Sequence, residues 1–398
     1  MAATTQAPPT APGSTAHTDG AWAAIPVQTR SERPRSFDPA DFEVPTGREV
    51  NWKHTPVDRL APLFVDAAGD DTAIAFDLDA PDGVEVGVRR VGESPRGEAF
   101  VPEDRPAAIA WTRAEEALYV RVPADAELDA PVVVTMTGAG ADRRANAHIL
   151  LEAGVNSRAK VLLRHAGAAQ FAQNVEVLVR DGAHLDVVTV QQWDDDAVHA
   201  ASHQVRVARD ATLRHIVVSF GGGVVRVNPS VELAGAGSRA DLFGLSYSDS
   251  GQHLESQVFL HHKGPDTKGD VLYKGALQGR GARSVWVGDV LIGPDAVGTD
   301  SYEANRNLVL TDGARAESVP NLEIETGDIR GAGHASATGR FDDEQLFYLQ
   351  ARGIGEDEAR RLVVLGFLAE IVQKIGIPAL EDELFAAIET ELAQEVSG

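Results

Sequence analysis

The chain has 398 residues, 36 Lys+Arg against 60 Asp+Glu for a formal charge of -24, 43% hydrophobic residues and 0 Cys. So acidic a surface repels phosphate backbones and anionic membranes, which removes nucleic acid and lipid as main partners; without thiols there is no disulfide, Cys nucleophile or thiolate metal site. No run approaches the roughly 18–20 apolar residues of a membrane span and no basic-then-apolar leader is present, so the expectation is a soluble cytoplasmic protein whose metals rest on His, carboxylate or a partner's ligands.

Residues 1–35 are rich in Ala, Thr, Pro and Gly without periodicity and read as a disordered tail. The run from Ser36 to Phe64 holds several Pro, a Trp and apolar residues, which suggests short helices or turns packed on a following body, within a mixed N-terminal region over 36–107. From about Ala108 to Ile329 the texture becomes short β-branched runs, among them Val132–Met136, Val175–Val179, Leu185–Val190 and Leu213–Phe220. Small turns near Gly154, Asp181, Asp210 and Gly237 recur about 26 to 29 positions apart, a period typical of stacked repeats. The resulting expectation is a mainly β chain: a right-handed parallel β-helix core over 108–330, with a sandwich of irregular hairpins as the alternative. The period blurs between Ser248 and Arg280, which reads as a polar insertion.

After Gly339 the pattern turns helical, and an α-helical domain is expected over 331–398. Asp342 or Asp343 offers an N-cap and Gly353 a stop; the next helix has acids in its first turn and Gly376 at its end; Pro378 opens the third. The middle helix carries apolar residues around most of its circumference, so one face is either a docking surface or is absorbed within the three-helix unit.

Candidate chemistry is sparse. His334, in the small-residue run GAGHASATG, is read as lying in a loop, where close backbone approach would leave its ring open to a metal or an interface, although a lone loop histidine also serves as an ordinary surface residue. His261 and His262, with His253 upstream, lack the spacing of a helical metal motif, and neighbours on a strand point to opposite faces. The acidic runs Asp194–Asp196 and Glu381–Glu383 read as solvated faces; no phosphate-binding loop or nucleophile elbow is present.

The segment from Asn305 to Ile375, with its linked NRNL, DGA, PNLEI, His-containing loop, DEQLFYLQARGI and EARRL-GF-E motifs, closely resembles the SufB/SufD family of iron–sulfur cluster assembly proteins, most of all its SufD members. Pro45–Leu60 and Leu272–Leu277 resemble further family segments. The resemblance implies a β-helix with a C-terminal helical domain, acting as a non-enzymatic scaffold that pairs with SufB and binds SufC, an ABC-type ATPase that would do the hydrolysis. It implies a transient Fe–S cluster shared with SufB, no cofactor held by this chain alone, and a homodimer as an option when SufB is absent. Where many members have Cys, this sequence has Ala332, so His334 is the residue the resemblance points to as a cluster or iron ligand at the SufB interface. For SufC docking it points to the middle helix, with Arg360, Arg361, Leu362, Phe367, Leu368 and Ile371 as candidates. A carbohydrate-active β-helix enzyme is the rival reading; it would want a secretion signal and a groove of stacked catalytic groups.

Overall fold

The structure is a computed structural model that describes residues 34–340 and 343–394. The tail read over 1–35 lies outside the described residues except for its last two. The described chain is a parallel β-solenoid of about 8 turns with a small N-terminal region and C-terminal helices.

The N-terminal region is mixed, as its composition suggests. A short 3-10 helix, Pro39–Asp41, capped by the Asp38 side chain, precedes α1 (Val57–Phe64). Strands β1 (Ile74–Asp79) and β2 (Glu85–Arg90) follow, then α2 (Arg105–Arg113) and β3 (Glu116–Val122). The β texture expected from Ala108 is therefore corrected. Asp104 caps α2 by accepting from the Ala107 N–H at 3.0 Å, with a proline in the first turn, and these local signals outweigh the apolar run that follows.

Two long strands, β4 (Val132–Ala153) and β5 (Arg158–Val179), each cross both faces of the first coils and pair in parallel. From there the chain alternates between two faces. One face carries β6 (His184–Trp193), β8 (Thr212–Ser219), β10 (Arg239–Ser248), β12 (Lys268–Leu277), β14 (Thr299–Val309) and β16 (Ile329–Arg340). The other carries β7 (Val198–Val207), β9 (Val224–Leu233), β11 (His253–His262), β13 (Arg283–Ile292) and β15 (Arg315–Ile324). Because parallel strands need crossovers, β-branched inward residues such as Val187, Val217, Val227 and Val271 stack coil on coil and fill the interior.

One corner shows how sequence sets the repeat. Asn156, Gly182, Asp210, Gly237, Asp266 and Gly298 all have positive φ and lie 26 to 32 residues apart. Asn/Asp and Gly alternate for a steric reason: a Cβ on Gly182 would sit 2.4 Å from Asn156 Oδ1, on Gly237 2.5 Å from Asp210 Oδ1, and on Gly298 2.6 Å from Asp266 Oδ1. Each carbonyl side chain occupies the space its neighbouring glycine leaves open, and both residue types tolerate the left-handed conformation.

The polar insertion expected between Ser248 and Arg280 is not present. β11 and β12 hold unbroken register with β13 and β14, and Asp266 keeps its place in the corner stack. Of the polar residues that blurred the pattern, His253, Glu255, Gln257 and His262 are buried, while Lys263, Asp266, Lys268 and Asp270 are exposed. Glu255 on β11 accepts from Thr55 Oγ1 at 2.8 Å and Arg226 Nε at 3.0 Å, while Arg226 Nη1 bonds Asp104 and its guanidinium stacks 4.0 Å over Trp52. These bonds fasten the N-terminal region to the outside of one face, where Leu60, Leu63 and Phe64 cover Ala172, Ala200 and Val224.

The outside of the other face is covered by α4 (Glu356–Val372) and α5 (Pro378–Gln394), which follow α3 (Asp343–Gln350). The helices expected from sequence are all present. Val364, Leu368, Ile371 and Val372 of α4, Ile375 just after it, and Leu380, Leu384 and Ile388 of α5 seal against Val188, Ile216, Phe243 and Leu272. Lys274 Nζ donates to the Phe367 carbonyl at 2.7 Å and meets Glu370 at 2.6 Å, anchoring α4 to β12. No helix among the described residues is long and apolar enough to cross a membrane.

Candidate functional site

The parallel register defines a single inward column across the coils: Val161, Val187, His215, Leu242, Val271, Glu303 and His334 are successive neighbours. Through five coils the column is apolar or neutral. At its last two positions it becomes an acid and a histidine, where, among the described residues, β16 has a strand neighbour on one side only.

His334 therefore belongs to a strand, which corrects the loop expected from its small-residue surroundings. Gly, Ala and Ser carry weak β preference, so the sequence lacks a strand signature; the ladder to β14, from Asp300↔Gly331 to Val309↔Arg340, supplies the order instead. It also moves the start of the helices from 331 to Asp343. The glycines have a packing reason: a Cβ on Gly331 would meet Tyr302 Oη at 2.6 Å, and one on Gly333 the same ring at 3.3 Å.

The His334 side chain is 45% exposed and its Nδ1 lies 3.8 Å from Glu303 Oε1, whose own side chain is 1% exposed. Burial first, and the nearby Asp289 charge second, push the Glu303 carboxyl up to about 8, against a small opposing effect of the Asn321 backbone N–H. Asp289 in turn accepts from Asn321 Nδ2 at 2.7 Å. Sequence reasoning missed Glu303. The signal was present in the alternation of TDSYEANRNLV, which turns Thr299, Ser301, Glu303, Asn305 and Asn307 inward and so places a charge at a core position.

The other histidine candidates are structural in setting. His262 is buried, bonded to Thr267 Oγ1 at 2.8 Å and Ser301 Oγ at 2.9 Å, and burial lowers it to about 3. His261, on the opposite side of the strand, is half-buried, and His253 Nε2 sits 2.9 Å from Glu255 Oε2. Among the described residues no three His, Cys, Asp or Glu side chains converge on one metal position.

The helix candidates divide. Leu368 and Ile371 are fully buried in the seam against the sheet. Phe367 is half-buried with Lys274 Nζ 4.6 Å from its ring centre. Leu362 is 41% exposed; Arg360 pairs with Glu356 at 3.4 Å, and Arg361 with Glu358 at 2.8 Å and with Glu389. On α3, Phe347 and Tyr348 are exposed by 71% and 56%.

Residues 135–367 match the family described as SUF system FeS cluster assembly, SufBD core domain, which spans more than half of the chain. The chain belongs to the SufBD family. Similar relatives include an iron–sulfur cluster assembly SufBD family protein of Mycobacterium bovis, 49% identical over 389 residues that cover 96% of this chain and 97% of the relative. One of Mycobacterium leprae is 47% identical over 363 residues, 90% and 93% of the two chains. The iron–sulfur cluster assembly protein SufD of Escherichia coli is 26% identical over 380 residues, 87% and 88% of the two chains. Membership accounts for the solenoid and places the chain in the SUF system of cluster assembly.

Proposed function

We propose that this SufBD-family chain is a SufD-like scaffold subunit of the cytoplasmic SUF complex, without catalysis of its own. It pairs with SufB through the open last coil and binds the SufC ATPase through its C-terminal helices, so that a nascent cluster forms at the SufB–SufD interface with His334 as this chain's ligand. Outside that complex the chain holds no iron–sulfur cluster, and a homodimer is an option when SufB is absent. The observation that carries the reading is the half-exposed His334 on a strand whose outer edge is open among the described residues, at the end of the inward column where ionisable side chains replace apolar filling. An unpaired edge favours strand addition by another chain. Likeness to the SufD of Escherichia coli along most of both chains supports the choice of SufD over SufB, as does the absence of thiols.

For SufC, the exposed remainder of α3 and α4, Phe347, Tyr348 and Leu362 with Arg360 and Arg361 beside them, supports the docking surface. Leu368 and Ile371 act from beneath by fixing α4. Nucleotide-driven movement of SufC would pull on α4 and so on β12 and its neighbour β14 through Lys274, which requires SufC to bind two states with different affinity.

The test is anaerobic co-purification of tagged wild-type and His334→Ala chains with SufB and SufC, followed by iron and sulfide analysis. A wild-type complex with cluster and an intact but cluster-poor variant is the expected result. Failure of both chains to retain either partner contradicts the assignment; equal cluster in both removes the ligand role of His334.

A further inference from the structure

His334 has a companion that the sequence pattern did not single out. β14 and β16 run parallel and in register, so Glu303 and His334 are direct cross-strand neighbours on the same face. Glu303 is almost wholly buried, yet among the described residues neither carboxylate oxygen meets a hydrogen-bond donor at normal geometry. Burying an acid without donors is costly, and carboxylates kept for structure are normally bonded. The next inward residues on the same strand show the contrast: Asn305 Nδ2 donates to the Tyr273 carbonyl at 3.2 Å, and Asn307 Nδ2 to Asn305 Oδ1 at 2.7 Å. Space is left for Glu303 by Gly288, where a Cβ would lie 2.5 Å from Glu303 Oε2.

We propose that Glu303 and His334 together form a two-donor half-site for a divalent first-row cation of the ferrous type, Glu303 binding from inside and His334 from the solvent side. The proposal rests on the reading of His334 as a ligand and adds a second donor from this chain, a carboxyl that gives up its proton as the ion binds. Imidazole and carboxylate both suit such ions. Bonds of about 2.1 Å to each donor let one ion bridge a separation up to about 4 Å, so the observed 3.8 Å accommodates it with little side-chain movement. Two protein donors leave coordination positions open, the arrangement of a site that takes up an ion and passes it on, unlike the closed four-ligand structural site.

The experiment uses the full chain, freed of metal and kept anaerobic, titrated with Fe(II) against a competing chelator. The acidic surface binds cations weakly everywhere, so the quantity read is one tight equivalent. Wild type and Glu325→Gln, which removes an exposed carboxylate near the same end, are expected to bind it equally. Glu303→Gln and His334→Ala are each expected to weaken it about tenfold or more, since even outer partners of a ligand cost that much. Glu303→Asp keeps the charge, shortens the arm and is expected to weaken binding as well, which decides the matter if the Gln variant does not fold. If Glu303→Gln and Glu303→Asp bind as wild type does while His334→Ala does not, the role of Glu303 is overturned and the reading of His334 survives. If the wild-type chain takes up no tight equivalent, the half-site on this chain is overturned, and co-purification with SufB and SufC judges His334 separately.

Discussion

The middle coils and the last coil follow the same ladder and differ in what they place inside it. Val187, Leu242 and Val271 occupy the inward column where coils cover it on both sides; Glu303 and His334 occupy it where the cover runs out. A charge in the middle of a solenoid has neither water nor partner, and the fold excludes it there. At the end, half-open to solvent, the column tolerates the imidazole of His334, with Glu303 buried one strand inward of it. The comparison teaches that function in this solenoid is read where the column breaks its own rule.

The sharpest way to break the comparison is to move the charge. Leu242→Asp, in the middle of the column, is expected to cost more than about 4 kcal/mol in urea unfolding, by loss of packing and burial of an unpaired acid. If that variant is as stable as wild type, the column is not the closed interior described.

Acid provides a second probe of the same interior. Burial lowers His165 and His215 to about 4, even though His165 is bonded to the Val190 carbonyl and Gln173, and holds His199 and His203 well below the usual imidazole value. Folded pKa values lie below the unfolded value of about 6.5, so the unfolded chain binds more protons in this window. Stability is therefore full above about pH 6.5 and falls as pH drops toward 4, by up to about 3 kcal/mol per ring for His165 and His215. A stability that stays level from pH 7 to 5 would contradict the neutral buried rings.

The N-terminal clamp should respond next. Burial alone would raise Glu255, but its bonds with His253 and Thr55 and the Arg226 charge hold it down at about 2. Glu255→Gln removes one of the two carboxylates that neutralise buried Arg226, the other being Asp104, and is expected to cost about 3 kcal/mol, with faster amide exchange in residues 51–64 and not in β16.

Much of this was legible beforehand. The period of the turns, the β-branched runs and the caps of the C-terminal helices each follow from a local rule, and the residues that set them are adjacent in sequence. What was not legible depended on distant neighbours. Glu255 and Gln257 looked like an insertion because nothing nearby in sequence announces that Thr55 and Asn51 will cover them. Around His334 the strand is built of Gly, Ala and Ser and takes its register from β14, and Glu303 became part of the site only once register set it beside His334.

The smallest stability effects belong to the end of the column. Glu303→Leu replaces an acid that lacks donors with an apolar side chain and is expected to stabilise the chain by about 1–2 kcal/mol, while His334→Ala stays within about 0.5 kcal/mol of wild type. Both would be seen by urea unfolding. A large loss in either variant would make these residues part of the packed core and erase the contrast between the two regions.

The most direct test of the central claim is amide hydrogen exchange of the chain alone and after addition of SufB. Protection confined to β15 and β16, with the amides around His334 slowed and those of β6 to β11 unchanged, is the predicted result. Protection at β1 and β2, with β16 exchanging as before, would show that the partner meets the other end of the solenoid and would contradict the account.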